Sequence, residues 1–347
     1  MTSTVTLKDV AREAGVHMST ASRALNPATR SAVNVATAGR VIEVAERLGY
    51  RPHPLARGLR TNRTMTIGMT IPDVKNPLFP PIYAGAEATL SAVGYSLMIV
   101  DDDGDREKEH WLLTAMAERR VDGLIIASAH LDFEAPEILL ERQIPTVLVN
   151  RHTPGQAFPS IVGDDNSGIG LAVRHLVALG HERIAHVAGP SDLSTGLARR
   201  QAFAAWVAAE GLAADEALVV QANGFRIDSG RAACEELLGR DVPFTAIVAA
   251  NDLIALGCYD ALEASGRTVP GDVSVTGYND MAFIDRVDPP LTSIAVPYQE
   301  MGAAAAEVLL DLIADGRGDG DPPQSIELQP ALVVRLSTAP PSAAAPG

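Results

Sequence analysis

Apolar residues recur at helical spacing in three short stretches near the start of the chain, and this spacing predicts three helices. The first begins after Thr6 and ends before Gly15, the second covers 18–25 and the third covers 35–48. Thr6 and Asp9 have the spacing of a capping box, and a glycine such as Gly15 stops a helix. The apolar stripes are formed by Val10, Ala11, Ala14, Ala21, Leu25, Val41, Val44, Ala45 and Leu48.

From residue 65 onward, short apolar runs alternate with stretches of helical periodicity. Repeated strand–helix units predict parallel sheets that are covered by helices on both faces. The predicted strands are 66–71, 96–100, 123–127, 146–149, 184–188, 246–249 and 273–276. The predicted helices are 82–93, 107–119, 169–179, 197–209, 229–238 and 253–265.

The three helices at the start of the chain have the size of a helix-turn-helix domain. Ala11 is small enough for two helices to cross closely, Gly15 lies where the chain reverses, and Ala21 packs back into the core. The residue at the position of Ala21 is more often Val or Ile, so this is the weakest part of the match. The segment that follows, residues 49–63, is basic and contains two prolines.

Composition places the chain among ordinary globular proteins. Hydrophobic residues make up 47% and charged residues 20%, which excludes wholesale disorder. We find no apolar run of the roughly 18 residues that span a bilayer and no apolar leader at the first residues, so we expect a cytoplasmic protein that does not contact membranes. Cys234 and Cys258 are too few for a disulfide framework.

The net charge of −15 argues against nucleic acid as a partner until the charges are located. Residues 1–63 contain ten basic and four acidic side chains, a net of +6, and the remainder carries −21. A small basic head on a large acidic body is typical of a protein in which one part binds a polyanion. The alternative is a solvated basic face with no such partner.

Motifs along nearly the whole chain, to about Thr338, resemble the LacI/GalR (lactose-repressor) family of transcription regulators. The motifs are residues 6–11 (TLKDVA), 14–16 (AGV), 20–26 (TASRALN), 48–52 (LGYRP), 56–60 (ARGLR), 179–181 (LGH), 250–252 (AND) and 277–280 (GYND). The resemblance implies an α/β protein, with an N-terminal three-helix helix-turn-helix domain and a two-subdomain, doubly wound core like the type I periplasmic binding proteins.

The resemblance also implies a domain plan. It comprises a DNA-binding domain over 1–50, a hinge helix or linker over 51–63, an effector-binding and dimerisation core over 64–339, and a disordered tail over 340–347. Within the core, the N-terminal subdomain is expected at about 64–161 and 294–322. The C-terminal subdomain is expected at about 162–293 and 323–339, so that the chain crosses near Ile161, Ile294 and Pro323.

In this family the second helix lies in the major groove of operator DNA. The matching base-reading positions are His17, Met18 and Ser19, and Arg23 matches a position suited to a guanine edge. The positions that match phosphate-contacting or positioning residues are Thr6, Thr20, Ser22 and Asn26. His17 replaces the more usual Ser, so either the helix cap is weaker or His17 reads a base; Met18 either touches a thymine methyl group or is a surface residue.

The segment 54–59 matches the hinge helix of the family, which folds on operator binding in the minor groove. Arg57 belongs to its DNA-binding residues, and Leu59 matches a leucine that wedges into a base step. Gly58 weakens helix formation by about 1 kcal/mol relative to Ala, so we expect this hinge to be unfolded off DNA. The alternative for Leu59 is an exposed linker residue.

The effector-contacting positions of the family correspond here to Phe79, Asn150, Arg199, Phe225, Asn251 and Asn279. Amides, a guanidinium and aromatic rings suit a polyhydroxyl ligand such as a sugar. Because Asn150 and Asn279 stand where many relatives carry Asp, Arg199 has fewer predicted carboxylate neighbours. Either the effector carries a negative group that pairs with Arg199, or Asp164, Asp165 or Asp280 neutralises the arginine and the effector is a neutral sugar. For Arg199 a structural ion pair, and for Phe225 simple core packing, are further alternatives.

No catalytic constellation, cofactor fingerprint or metal-ligand spacing appears in the sequence. His175, His181 and His186 are interpreted as helix-end or surface residues. The sequence therefore predicts a homodimeric regulator, most simply a repressor, that binds pseudo-palindromic operator DNA and a small polar effector. The rival classes are a transport-type solute-binding protein, which the basic head disfavours, and an enzyme on a doubly wound fold.

Overall fold

The structure is a computed structural model, and it describes residues 5–26, 29–50, 63–155, 158–314 and 325–342. The chain divides into two compact units, Met1–Met65 and Thr66–Gly347. The first unit is called the head and the second the core.

The head contains the three predicted helices α1 (Leu7–Glu13), α2 (Met18–Leu25) and α3 (Val35–Arg47). The capping box predicted from the sequence is present. The backbone N–H of Asp9 donates to Thr6 Oγ1 at 3.4 Å, and the backbone N–H of Thr6 donates to Asp9 Oδ2 at 3.0 Å. The helix boundaries predicted from the apolar pattern are correct within one residue for α2 and α3.

The hydrophobic interior of the head is made of small and branched apolar side chains. Val10, Ala21 and Val41 are fully buried there, so Ala21 fills the inward position despite its small size. Gly15 has a φ of +63°, a left-handed conformation that glycine adopts without steric cost, and it lets α1 turn toward α2.

The first half of the core is an N-subdomain, which comprises 66–163 and 298–328 within the described ranges. Its six-stranded sheet is parallel throughout, with the order β11-β5-β4-β3-β1-β2. The strands are β1 (Thr66–Ile71), β2 (Ser96–Asp101), β3 (Gly123–Ile126), β4 (Thr146–Val149), β5 (Ser160–Gly163) and β11 (Ile326–Leu328). Its helices are α4 (Phe79–Ala92), α5 (Arg106–Glu118), α6 (Glu137–Glu141) and α11 (Tyr298–Ala314).

The second half is a C-subdomain, 164–295 and 331–342, with the strand order β12-β10-β9-β8-β6-β7 and only β12 antiparallel to its neighbour. The strands are β6 (Ile184–Ala188), β7 (Val219–Gln221), β8 (Ala246–Ala249), β9 (Ser274–Asn279), β10 (Thr292–Ala295) and β12 (Ala331–Val333). Its helices are α7 (Asp165–Ala178), α8 (Ser194–Ala209), α9 (Ile227–Gly239) and α10 (Asp252–Ala264). This is the two-subdomain, doubly wound architecture that the resemblance implies.

The chain crosses between the subdomains at three places, two of them within two residues of the expected positions near Ile161 and Ile294 and the third further along the chain than Pro323. Ser160–Gly163 belongs to the first sheet, so the first crossing follows Gly163 rather than Ile161. Thr292–Ala295 pairs with β9 in the second sheet, so the second crossing follows Ala295. Ile326–Leu328 pairs with β5 in the first sheet, and the return therefore lies after Leu328 rather than near Pro323.

Helices α4 and α11 pack closely because glycines face backbone at their contact. A Cβ on Gly85 would lie 1.9 Å from the carbonyl oxygen of Gln299, and one on Gly302 would lie 1.8 Å from that of Ile82. The second crossing enters α11, so this packing ties the crossover to the N-subdomain.

Two of the histidines interpreted as helix-end or surface residues are buried. His186 lies in β6, donates from Nδ1 to the carbonyl of Val248 at 2.7 Å and stacks on Phe203. Burial lowers the pKa of His186 to about 4. His181 Nε2 lies 2.9 Å from the carbonyl oxygen of Ala339, and this contact attaches the segment after β12 to the C-subdomain. Residues 343–347 of the predicted tail lie outside the described residues.

In the described ranges, none of the helices is long and apolar enough to cross a membrane. Among the same residues, no group of three or more His, Cys, Asp or Glu side chains is arranged to hold a metal ion.

Candidate effector cleft and nucleic-acid interface

The carboxyl ends of parallel strands from both subdomains face a common cleft of about 360 Å³, its mouth included. Ligands of doubly wound folds bind at such strand ends. All six residues predicted to contact an effector line this cleft, namely Phe79, Asn150, Arg199, Phe225, Asn251 and Asn279. The structure thus brings together side chains that are up to 200 residues apart in the sequence.

Two of the amides are oriented by hydrogen bonds to their oxygen atoms. Asn251 caps α10, and its Oδ1 accepts from the backbone N–H of Ile254 at 2.8 Å. Asn279 Oδ1 accepts from the hydroxyl of Tyr298 at 2.6 Å. These bonds orient the two amides, so that each can offer its NH₂ group to a ligand.

Asn150 and Asn279 occupy corresponding places in the two halves of the cleft, just after β4 and at the end of β9. Both have a positive φ, 65° and 109°, which few non-glycine residues adopt and asparagine tolerates best. Backbone strain of this kind is concentrated at binding and catalytic sites.

Arg199 projects from α8 and is 3% exposed. Its Nε donates to Asp165 Oδ1 at 2.8 Å, its Nη1 donates to the carbonyl of Ala250 at 2.8 Å, and its guanidinium lies 3.8 Å from the ring centre of Tyr278. Burial alone would lower the pKa of Arg199, but the adjacent carboxylate of Asp165 raises it above its usual value. Arg199 is therefore charged and already paired.

The other two carboxylates considered as partners of Arg199 are bound elsewhere. Asp280 pairs with Arg335 at 2.7 Å. Asp164 caps α7 by accepting from the backbone N–H of Ser167 at 2.8 Å. Of the three acidic residues adjacent in sequence to the cleft, Asp165 is the one that neutralises Arg199.

A second buried arginine, Arg151, lines the N-subdomain side of the cleft. Its Nη1 donates to the carbonyl of Ser128 at 2.7 Å, whereas its Nε, within the described part of the chain, has no hydrogen-bond partner. Burial lowers the pKa of Arg151 to about 10, against the opposing effect of Asp102 and Glu109. Burial likewise raises the pKa of Glu109 to about 7.

The aromatic residues stand on opposite sides of the cleft. Phe79 begins α4 and is almost fully buried, and Phe225 follows β7 and is half-buried against the C-subdomain core. The guanidinium of Arg199 lies 5.9 Å from the ring centre of Phe225. Phe225 thus combines core packing with a position on the cleft wall.

In the head, helix α2 presents one polar, exposed face. Ser19 and Arg23 are exposed on it, and Met18 is 51% exposed, whereas Ala21 and Ala24 are buried. His17 caps α2, and Asn26 follows its last residue. Thr20 and Ser22 are partly buried at the sides of the helix, and Thr6 caps α1.

The arginines of the head differ in what they bind. Arg12 and Arg47 pair with Asp9 and Glu13, at 2.9 and 3.1 Å. Arg30 and Arg40 donate to the backbone carbonyls of Ala24 and Ala14. By contrast, the Arg23 guanidinium forms no hydrogen bond or ion pair inside the described ranges, which leaves it available on the exposed face of α2.

Comparisons with known proteins agree with this architecture. Residues 6–53 match the model of the lacI family of bacterial regulatory proteins, and residues 173–338 match a periplasmic binding protein-like domain. The transcriptional regulator DegA of Bacillus subtilis is 32% identical, with 96% of this chain and 98% of the relative covered. The regulator CelR of Thermobifida fusca is 37% identical over the same shares of the two chains. This chain belongs to the LacI family.

Solved structures extend the likeness of this LacI-family regulator to three dimensions. A complex of the regulator CelR with cellobiose has a TM-score of 0.73 at 33% identity and covers 96% of this chain and 99% of that one. A lac repressor dimer bound to operator and an anti-inducer has a TM-score of 0.82 at 26% identity and covers 97% of this chain and 100% of that one. The chain is therefore a DNA-binding transcriptional regulator.

Two predicted DNA-contacting residues of the LacI-family regulator, Arg57 and Leu59, lie outside the described residues. Their roles and the folding of the hinge stay predictions. The other eight are all on α2 or at the ends of α1 and α2.

Sequence reasoning missed three polar residues that line the cleft, Asn76, Arg151 and Thr195. Asn76 lies in the loop between β1 and α4, Arg151 lies two residues beyond β4, and Thr195 is in the first turn of α8. The position of Arg151 next to Asn150, at the end of a buried parallel strand, is the signal that points to it.

A group of ion pairs joins the two subdomains of this regulator beside the cleft. We call it the subdomain clasp (Arg106, His130, Asp132 and Asp192). Asp192 Oδ2 in the C-subdomain lies 3.2 Å from Arg106 Nη2 and 3.1 Å from His130 Nδ1. Arg106 also pairs with Asp132, and the N–H of Leu131 donates to the carbonyl of Asp192 at 2.9 Å. Asp192 leads directly into α8, which carries Thr195 and Arg199.

Proposed function

We propose that this LacI-family regulator is a homodimeric repressor whose affinity for a pseudo-palindromic operator is set by a neutral polyhydroxyl effector. The observation that carries the proposal is the cleft itself. Six predicted effector contacts surround it, and its most buried guanidinium is neutralised by Asp165. The cellobiose complex of the similar protein CelR supports a sugar as the ligand class.

The head supports the DNA-binding part of the proposal. A helix that presents Met18, Ser19 and Arg23 to solvent offers one apolar and two polar groups to the base edges of a major groove. An Arg23 guanidinium that has no partner among the described residues suits the bidentate contact to guanine O6 and N7. Thr6, Thr20, Ser22 and Asn26 are assigned to backbone contacts and to positioning.

The charges of the cleft support a neutral effector rather than an acidic one. Arg199 is paired with Asp165, and Arg151 lies near Asp102 and Glu109. A carboxylate ligand would therefore meet an Arg199 that is already paired with Asp165. The available amide NH₂ groups instead match the lone pairs of sugar hydroxyl oxygens.

Exposed apolar side chains support a homodimer. Tyr83 on α4, Val93 directly after it, and Ile99 on the edge strand β2 are exposed on the N-subdomain, and Ile227 and Phe283 are exposed on the C-subdomain. Apolar residues on an edge strand and its neighbouring helix are typical of surfaces that a partner covers. A dimer would present two copies of α2 to the two half-sites of an operator.

The proposal places the protein in the cytoplasm, where it acts on DNA without a catalytic step. Similar proteins are transcriptional regulators.

Specific DNA binding by this protein is tested by fluorescence anisotropy with a labelled fragment of the DNA upstream of its own gene. We expect specific binding that weakens steeply with salt, a relaxed base preference in Arg23→Ala, and a selective loss of specific binding in Leu59→Ala. Equal affinity for this fragment and for random DNA at every salt concentration would contradict the proposal.

A further inference from the structure

His17, the N-cap of α2, forms hydrogen bonds within the head through one ring nitrogen, and its other ring nitrogen has no partner among the described residues. His17 Nδ1 lies 3.3 Å from the backbone N of Ser19 and 2.8 Å from Ser19 Oγ. The side chain thereby caps α2, whose first backbone N–H groups have no partner within the helix. His17 is exposed, and its Nε2 has no hydrogen bond to any residue that the structure describes.

These contacts fix the tautomer of the neutral ring. A backbone N–H can only donate, so Nδ1 accepts and carries no proton. The proton of the neutral imidazole is then on Nε2. The Ser19 hydroxyl also donates to Nδ1, because a nitrogen without a proton has nothing to donate in return.

We propose that the Nε2–H of His17 is a base-reading donor that recognises N7 of a purine in the operator. The inference rests on the proposed placement of α2 in the major groove. The two nitrogens lie on opposite sides of the imidazole ring, so a ring that caps the helix with Nδ1 directs Nε2 away from it. A purine N7 is an acceptor on the major-groove edge of both adenine and guanine, whereas the cytosine edge offers only a donor. An Nε2–H donor that reads N7 therefore favours a purine over cytosine at one position.

The residue type matters because of how far the donor reaches. A capping serine accepts the N–H of the helix on its oxygen and can still donate its hydroxyl proton, but only from that same atom, close to the backbone. Histidine caps with one atom and donates with another, about one ring width further out. The choice of His17 instead of serine consequently adds a contact to DNA without giving up the cap.

The same geometry assigns a role to Ser19. Its hydroxyl proton is directed to His17 Nδ1 at 2.8 Å, so its oxygen presents only lone pairs to the outside. Ser19 is then an acceptor for a donor group on a neighbouring base, whereas His17 is a donor. The pair thus offers two groups of opposite and fixed sense.

The test compares the wild-type protein with His17→Ser on operators that contain single 7-deazapurines, in which a C–H replaces N7. We expect one purine position where this replacement weakens wild-type binding about 5- to 10-fold, the size of one hydrogen bond. The same replacement should change binding of His17→Ser less than about twofold, because the variant retains a cap but has no distal donor. Equal losses in both proteins at every purine would overturn the inference.

Two controls separate other outcomes. His17→Ser should melt within a few degrees of the wild-type protein, and His17→Ala should melt at a lower temperature, because of the two variants only His17→Ser retains a side chain that caps α2. Single methylphosphonate substitutions test whether His17 contacts a phosphate instead. If such a substitution weakened DNA binding of the wild-type protein alone, and no 7-deazapurine did so, base reading by His17 would be overturned. Arg23→Ala is assayed in parallel; if it too leaves base preference unchanged, the placement of α2 fails, and if it alone relaxes the preference, only the role of His17 fails.

Discussion

The two sides of the cleft each contain a buried arginine, and the two are compensated in different ways. Arg199 in the C-subdomain has a carboxylate at 2.8 Å, a carbonyl at 2.8 Å and an aromatic face, which hold its charge in place. Arg151 in the N-subdomain has one carbonyl partner, and its Nε lacks a partner among the described residues. Its compensating carboxylates, Asp102 and Glu109, act at longer range.

The difference indicates a division of labour. A fully paired arginine forms a rigid wall, and its removal leaves a buried carboxylate without a partner. An arginine with a buried N–H to spare is costly to the empty protein and gains a hydrogen bond when a ligand supplies an acceptor. We therefore expect Arg199 to dominate stability and Arg151 to dominate effector affinity.

The largest expected effect is that of Arg199→Met. Asp165, whose side chain is 13% exposed, would lose its partner, and the free energy of unfolding should fall by about 3–5 kcal/mol. Urea denaturation measures it. The matched control is Arg200→Met, one residue along α8, whose pair with Glu216 is exposed and should cost less than about 1 kcal/mol. Similar losses for both variants would contradict the distinction.

The next effect is that of Arg151→Met. Glu109, with a pKa already near 7, can take up a proton when its positive neighbour is lost, so the stability cost should be about half that of Arg199→Met or less. Effector affinity should fall about 10- to 100-fold, as for a lost hydrogen bond to a charged donor. Calorimetric titration with the effector, with Arg151→Lys as the conservative control, checks this; unchanged affinity would remove Arg151 from the binding site.

Glu109→Gln tests the long-range compensation through its pH dependence. Because the pKa of Glu109 is raised in the folded protein, the folded chain binds an additional proton between about pH 4.5 and 7, and stability declines as the pH rises through that range. The variant lacks this decline, so it should gain about 1–3 kcal/mol relative to wild type between pH 5 and 8. If the stabilities of the wild type and of Glu109→Gln changed with pH in parallel, the pKa of Glu109 would not be raised in the folded protein.

The smallest effect is expected at the subdomain clasp. Asp192→Asn keeps the shape of the side chain but removes the charge that faces Arg106 and His130. Since these groups are partly exposed, effector affinity should weaken only about two- to fivefold, and less at high salt. Asp285→Asn, which breaks an exposed pair with Arg286, should leave effector affinity unchanged.

The sequence was sufficient for elements with a clear apolar pattern. Strands such as β1 and β8 and the helices of the head follow from apolar spacing, and the six cleft residues follow from the family resemblance. It did not predict β10, because Thr292 and Ser293 in that strand are polar and are buried through side-chain hydrogen bonds rather than by hydrophobicity.

Other features depend on contacts between distant segments. The pairing of Arg199 with Asp165 spans 34 residues, and three aspartates were equally plausible partners from the sequence. The spare N–H of Arg151 is a property of its buried surroundings, which no local pattern encodes. Helix α11 is absent from the predicted helices, because its alanine-rich face is explained by its close packing against α4, where Gly85 and Gly302 face backbone.

The most direct test of the central claim is a titration of the operator-bound protein with paired ligands, each pair a neutral sugar and the uronic acid derived from it. Release or strengthening of labelled operator DNA is followed by fluorescence anisotropy, and binding to the free protein by calorimetry. We predict that in an active pair the neutral member binds at least about 10-fold more tightly and alone changes operator affinity. Tighter binding of the acid, with a change in operator affinity, would contradict a cleft in which Asp165 already neutralises Arg199.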